Sequence, residues 1–137
     1  MTKLRVLTIV LNLLIIIGAG HGIGPLGLFE IFSVRELLTG EFSFNITGRY
    51  DERLMSVAII SLAGQLILIL TFFITKKVKS SLTIFGSVVL LTGIFILTQD
   101  FTEMNLDTFS LVFSLPCIVT AIMLSILETK ELLKKEI

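Results

Sequence analysis

The sequence predicts an all-α integral membrane protein: a four-transmembrane-helix antiparallel bundle with a larger first extracytoplasmic loop. Three observations predict it. Hydrophobic residues make up 54% of the 137 and charged residues only 16%, giving a mean hydropathy of +0.99, well above that of a soluble domain of this length. The charges gather in clusters and leave four uncharged intervals, 6–29, 54–75, 80–99 and 108–127. Each can supply the roughly 20 apolar helical residues that cross a hydrocarbon core. Finally, the basic clusters (Lys3 and Arg5; Lys76, Lys77 and Lys79; Lys130, Lys134 and Lys135) fall on one side after four passes, while "QDFTEMNLD" on the other side is purely acidic.

The spans are expected at about 4–22, 54–75, 80–99 and 108–127 in a single domain, 1–137, with the outer loop at 23–53. The last three are bracketed tightly by Arg53 and Lys76, Lys79 and Asp100, and Asp107 and Glu128. The first interval also has the basic start, apolar run and small residues Gly18 and Gly20 of a signal peptide. Its apolar character continues to Phe29, interrupted only by His21, which favours a retained helix. Lys and Arg in short loops orient such a chain with both termini cytoplasmic. The Ile-, Leu- and Lys-rich composition without tryptophan fits a bacterial cytoplasmic (inner) membrane.

The short turn "TKKVKSS" and the short loop before 108 make spans two, three and four sequential antiparallel neighbours. The first outer loop is large enough for structure of its own. "LGLFEIFSVRELLTG" reads as a short interfacial helix ending at Gly40, a suitable C′ residue. Its apolar positions cover too much of the wheel for a clean amphipath, so partial burial against the bundle is weighed equally. In "EFSFNITG", Phe42, Phe44 and Ile46 alternate with polar residues, the pattern of a half-buried strand. The alternative is an extended segment whose Phe side chains rest on the bundle. Asn45 in "NIT" is a glycosylation acceptor only in a eukaryotic secretory pathway.

Within a bilayer, helix contact faces are read from small and hydrogen-bonding residues. Ser110, Ser114, Cys117 and Ala121 form one stripe in span four. Thr83, Gly86, Leu90, Gly93 and Leu97 share a face of span three, and Ser61, Gly64, Gln65 and Thr71 cluster in span two. Asn12 and Gln65 lie at similar depth, near the middle of their spans, where they can hydrogen-bond. With Thr92 and Cys117 they form a candidate midplane polar layer. No Asp, Glu, Lys, Arg or His falls in the central half of any span, which argues against proton-coupled transport.

Chemistry by catalysis, cofactor or metal is not predicted. The chain has one His and one Cys, too few for a zinc site and too few for a disulfide. The outer-face candidates are His21, Asp100, Glu103 and Asp107. The spacing of the acids fits no calcium loop, so a solvated acidic turn is expected, with His21 an interface residue. The glycines of "GAGHGIGPLG" contain G-x-G-x-x-G, but they follow a hydrophobic span and enclose Pro25, whereas a dinucleotide loop needs a strand before and a helix N-terminus after. They are read as a helix exit and hinge. With a net charge of zero, nothing suggests nucleic acid, and none is expected as a partner. The expected partners are the lipid bilayer and a homo-oligomer or larger membrane complex. The leading functional expectation is a small non-enzymatic membrane protein acting through helix–helix or outer-loop contacts, as an accessory subunit, homo-oligomer or immunity-type protein. The alternative is a small carrier or channel for a small or lipidic ligand, built on the polar midplane layer.

Overall fold

In the computed structural model of the chain, residues 1–19, 22–100 and 106–136 are described. They form α1 (Thr2–Leu13), β1 (Ile16–Ala19), β2 (Gly22–Pro25), α2 (Leu26–Thr39), α3 (Tyr50–Leu70), α4 (Lys76–Leu97) and α5 (Leu106–Glu136). The three helices α3, α4 and α5 are long and apolar enough to cross a membrane. Small residues bring α3 and α4 together. A Cβ on Gly64 would stand 2.7 Å from the Leu90 side chain and 3.1 Å from the Gly86 carbonyl oxygen, and one on Gly93 would stand 3.0 Å from Ser61 Oγ. Ser61 opposite Gly93 and Gly64 opposite Gly86 make the pair antiparallel. The three stripes expected from the sequence are all buried.

The helix expected over 4–22 is not continuous, and this corrects the four-helix reading. α1 ends at Leu13 after 12 residues. The chain then runs Ile15-Ile16-Ile17-Gly18, three β-branched residues and a glycine, which favour extended backbone over helix. β1 and β2 pair antiparallel, with Ile16 opposite Pro25 and Ala19 opposite Gly22, and the Leu26 N–H extends the ladder to the Ile15 carbonyl at 2.8 Å. Strand rises about 3.3 Å per residue against 1.5 Å for helix. α1 and β1 together therefore follow α5 from Glu128, which Arg5 touches, to Leu106, which packs on Gly18. Ile15 and Ile17 are fully buried, whereas β2 is an edge strand with Ile23 72% exposed.

β2 returns the chain toward Leu13, and α2 starts there: a Cβ on Gly27 would meet Leu13 at 3.0 Å. α2 then crosses α3, with Glu30 at Gln65 and the Ser33 hydroxyl at Met55 Sδ, 3.2 Å. It ends as the sequence predicts, at Gly40, whose φ of 78° is left-handed and suits glycine. It is not simply interfacial, because Glu30 and Ser33 are buried while Leu28, Ile31, Phe32, Leu37 and Leu38 stay exposed.

The strand expected in "EFSFNITG" is not formed; residues 41–49 have no regular secondary structure. Asn45 decides this. Its Oδ1 accepts the N–H groups of Thr47 (3.1 Å) and Gly48 (2.9 Å), and its own N–H goes to Ser56 Oγ at 2.7 Å. Such a side-chain turn competes with a ladder, and among the described residues no further strand is present to pair with one here, since β1 and β2 pair with each other.

The core has two parts. Near the Tyr50 end of α3 it joins Ile15, Ile17, Leu26, Tyr50, Leu54, Val57, Ala58, Ile94, Leu97 and Cys117; near the other end, Leu68, Leu90 and Leu124 meet. Each end is also clasped by a buried arginine. Arg5 pairs with Glu128, their side chains 3% and 1% exposed. Arg53, fully buried, donates to Asp100 at 2.8 Å and to Asp107 at 2.7 Å.

Candidate functional site

The most unusual chemistry lies in the last third of α3, at Gln65. Gln65 Nε2 has two N–H donors. One goes to Asn12 Oδ1 at 2.7 Å and the other to Glu30 Oε1 at 2.6 Å. Three elements supply the three side chains: the last turn of α1, the first turns of α2 and the last third of α3. The break in the first hydrophobic interval is what makes this possible. A continuous helix would have carried Glu30 away from Gln65, whereas the hairpin turns the chain back and begins α2 beside Leu13.

All three residues are buried, with Asn12 at 0%, Glu30 at 3% and Gln65 at 4% exposure. No cation pairs with Glu30 among the described residues. α2, at 14 residues, is too short to span a bilayer. Burial pushes the Glu30 carboxyl up from 4.5 to about 7, against the stabilising hydrogen bond from Gln65. Asn12 Nδ2 has no hydrogen-bond partner among the described residues. Cys117 closes the cluster from α5, its Sγ 3.8 Å from the Thr8 carbonyl and beside the Asn12 side chain.

A lateral cavity of about 370 Å³ opens on the cluster, lined by Leu13, Gly27, Glu30, Ile31, Val34, Leu62 and Gln65. Its walls are apolar apart from the carboxyl and the amide. Both Gln65 N–H donors are engaged, and Asn12, whose Nδ2 is unpartnered, does not line the cavity, so the polar corner offers acceptors when Glu30 is ionised. A group entering this cavity is therefore matched by its own donors, as a hydroxyl or an amine.

Of the four residues of the expected midplane layer, the structure brings together Asn12, Gln65 and Cys117. Thr92 stands apart on an exposed face of α4, its hydroxyl turned back to the Val88 carbonyl at 2.9 Å. The residue that sequence reasoning missed is Glu30. As a residue of the outer loop it gives no reason in the sequence to stand beside Gln65, which it meets at 2.6 Å from a helix too short to span. A signal was present: the helix from Leu26 to Thr39 is too short to span and too apolar for a solvated loop.

The acidic outer candidates are organised differently from a solvated turn. Asp100 and Asp107 both close on Arg53, and Asp107 Oδ1 also accepts the Asp100 N–H at 3.3 Å. Beside them the Tyr50 hydroxyl meets Ser110 Oγ and the Gly18 backbone. This is a structural clasp that joins the start of α3 to the start of α5, and the guanidinium already supplies its cation. His21 and Glu103 lie outside the described residues. Among the described residues no group of three or more His, Cys, Asp or Glu is placed to hold a metal ion. Comparison with known protein families, curated proteins and solved structures finds no significant match to this chain.

Proposed function

We propose that the protein is an integral membrane protein that binds a small amphiphile entering from the bilayer, without covalent chemistry, at the Asn12–Gln65–Glu30 cluster. The observation that carries this is the lateral cavity whose only polar corner is a buried carboxyl and an amide with its donors spent. Membrane insertion is supported by the three long apolar helices and by the large hydrophobics they leave exposed, such as Phe73, Phe85, Phe95 and Phe113. Three spanning helices plus a first crossing made half of helix and half of strand keep both termini on one side. The Lys-rich end then faces the cytoplasm, in a bacterial inner membrane. Non-helical backbone is tolerated at such depth where protein buries it, as α5 does for Ile15 and Ile17.

The ligand class is an apolar body with a hydroxyl or amine head. Two measurements test this. Membranes washed with alkaline carbonate retain the chain if it is inserted; release into the wash refutes insertion. In reconstituted protein, a photoreactive long-chain amine or alcohol labels the cavity residues Ile31 and Leu62, while the matched hydrocarbon does not. Equal labelling by all three, or labelling unchanged in Glu30→Leu, refutes the site.

The contact reading, an accessory subunit, homo-oligomer or immunity-type protein, keeps one specific support. Among the described residues the outer edge of β2 has no partner strand, with Ile23 exposed, and α2 exposes Leu28, Ile31, Phe32, Leu37 and Leu38. Both lie on the short elements, where a neighbouring chain can add to the sheet edge. Crosslinking from Ile23→Cys to a second chain in intact membranes supports it, and monomeric behaviour with no copurifying partner counts against it.

A further inference from the structure

The basic end of the bundle holds a second concavity that the amphiphile site does not use. It has a volume of about 490 Å³ and is lined by Met1, Arg5, Lys79, Ser80, Glu128, Glu131 and Lys134, from the ends of α1, α4 and α5. Two features there are unbalanced. α4 begins at Lys76 with no side-chain cap and no acidic residue in its first turn, although the partial positive charge of a helix N-terminus favours an anion and disfavours lysines. The Arg5–Glu128 pair is also incompletely satisfied, with Arg5 Nε lacking an acceptor and Glu128 Oε2 lacking a donor among the described residues, and with both side chains nearly fully buried.

The two needs are opposite in sense. An anion beside Lys79, Lys134 and the α4 terminus relieves the first, but a simple anion would also face Glu128 and Glu131. A cation alone would face the lysines. A group that carries both charges a few bonds apart meets the whole lining: its phosphate is matched by Lys79, Lys134 and the Ser80 hydroxyl, its ammonium N–H groups by Glu128 and Glu131.

We infer that this cavity is a headgroup site for an ethanolamine phospholipid, a phosphodiester bearing a primary ammonium. The inference rests on the membrane reading above, because the helix ends that form the cavity then lie at the level of the headgroups. The primary ammonium matters: a choline headgroup has the same charges but no N–H to donate, and a glycerol headgroup has no cation.

Purified, delipidated protein is offered vesicles holding equal parts of ethanolamine, choline and glycerol phospholipids with identical acyl chains, and retained lipid is read by native mass spectrometry. The expected result is enrichment of the ethanolamine lipid by roughly tenfold over the choline lipid, the size of one charge-assisted hydrogen bond. Lys79→Gln lowers retention of all three lipids, whereas Glu131→Gln removes only the preference for ethanolamine over choline. Lys79 is only partly buried and Glu131 is exposed, so neither change threatens the fold, and unchanged circular dichroism checks this. Equal retention of ethanolamine and choline lipids, preference for the glycerol lipid, or a preference indifferent to both variants overturns the inference. Capture of free phosphoethanolamine without retention of the lipid overturns the assignment to a lipid. Release of the chain from membranes by carbonate refutes the membrane reading instead, whatever the lipid result.

Discussion

Replacing Glu30 by Gln isolates the cost of holding an ionisable group in the cluster. The change keeps the size of the side chain and an acceptor for Gln65 Nε2, and it removes only the ability to ionise. The carboxyl moves from 4.5 to about 7 in the folded chain, so the folded state binds the proton more tightly than the unfolded state does. The contribution to stability is therefore complete below about pH 4.5, falls as the pH rises toward 7, and remains lost above that. At about 1.4 kcal/mol per tenfold in proton affinity, and with the open cavity screening part of the effect, ionisation costs the fold roughly 2 kcal/mol. Thermal unfolding in detergent, followed by far-ultraviolet circular dichroism from pH 4 to pH 8, measures it. The expected outcome is a wild-type melting temperature that declines across this window, while Glu30→Gln stays nearly level and melts higher than wild type at pH 8. Parallel profiles for the two proteins would refute the placement of Glu30 in a buried, cation-free site.

The clasp at the far end gives a second prediction: Arg53→Leu takes the buried guanidinium away from both carboxylates and destabilises by roughly 3–5 kcal/mol, with Asp107→Asn more costly than Asp100→Asn because the Asp107 side chain is 3% exposed and that of Asp100 60%. Chemical denaturation in detergent ranks the three. At the α3–α4 contact, Gly86→Ala brings a Cβ to 3.2 Å from the Gly64 carbonyl oxygen, a backbone atom that cannot swing away, and overpacking of this kind costs about 1–3 kcal/mol; a lowered melting temperature checks it. The free Cys117 is fully buried, so a thiol-reactive dye leaves the folded protein unlabelled and reacts once the bundle opens. Labelling of the native state at the rate of a free thiol would contradict the packing of α5 against α1.

The three long helices were legible because their charged brackets and small-residue stripes sit within single segments, where local sequence decides structure. Asn12 with Gln65 was legible for the same reason, since depth can be counted from the charged edges. Glu30 was not, because its position depends on the chain reversing at a hairpin, and a hydropathy run cannot distinguish a helix from a helix followed by buried strand. The Ile15–Ile17 run and the glycines after it carry that information, through β-branching rather than through polarity. Arg53 and Asp107 were both visible as charges, but the sequence does not give the distance between the start of α3 and the start of α5. The phenylalanine alternation before Gly48 misled because the turn chemistry of Asn45 outweighs a period of two when no neighbouring strand is available.

The hairpin also constrains how the chain is made. Each peptide group of β1 facing β2 would be without a partner if the strand entered a bilayer alone, at a cost of several kcal/mol per group, so the two strands must enter already joined. On the membrane reading proposed above, β1 and β2 enter together, carried in with α1 and α2 on either side, and their resting place exists only after α5, which is synthesised after them, has arrived. An early pause in translation before α5 should therefore yield a nascent chain whose first segment remains outside the membrane's apolar interior, although its hydropathy alone would send it there.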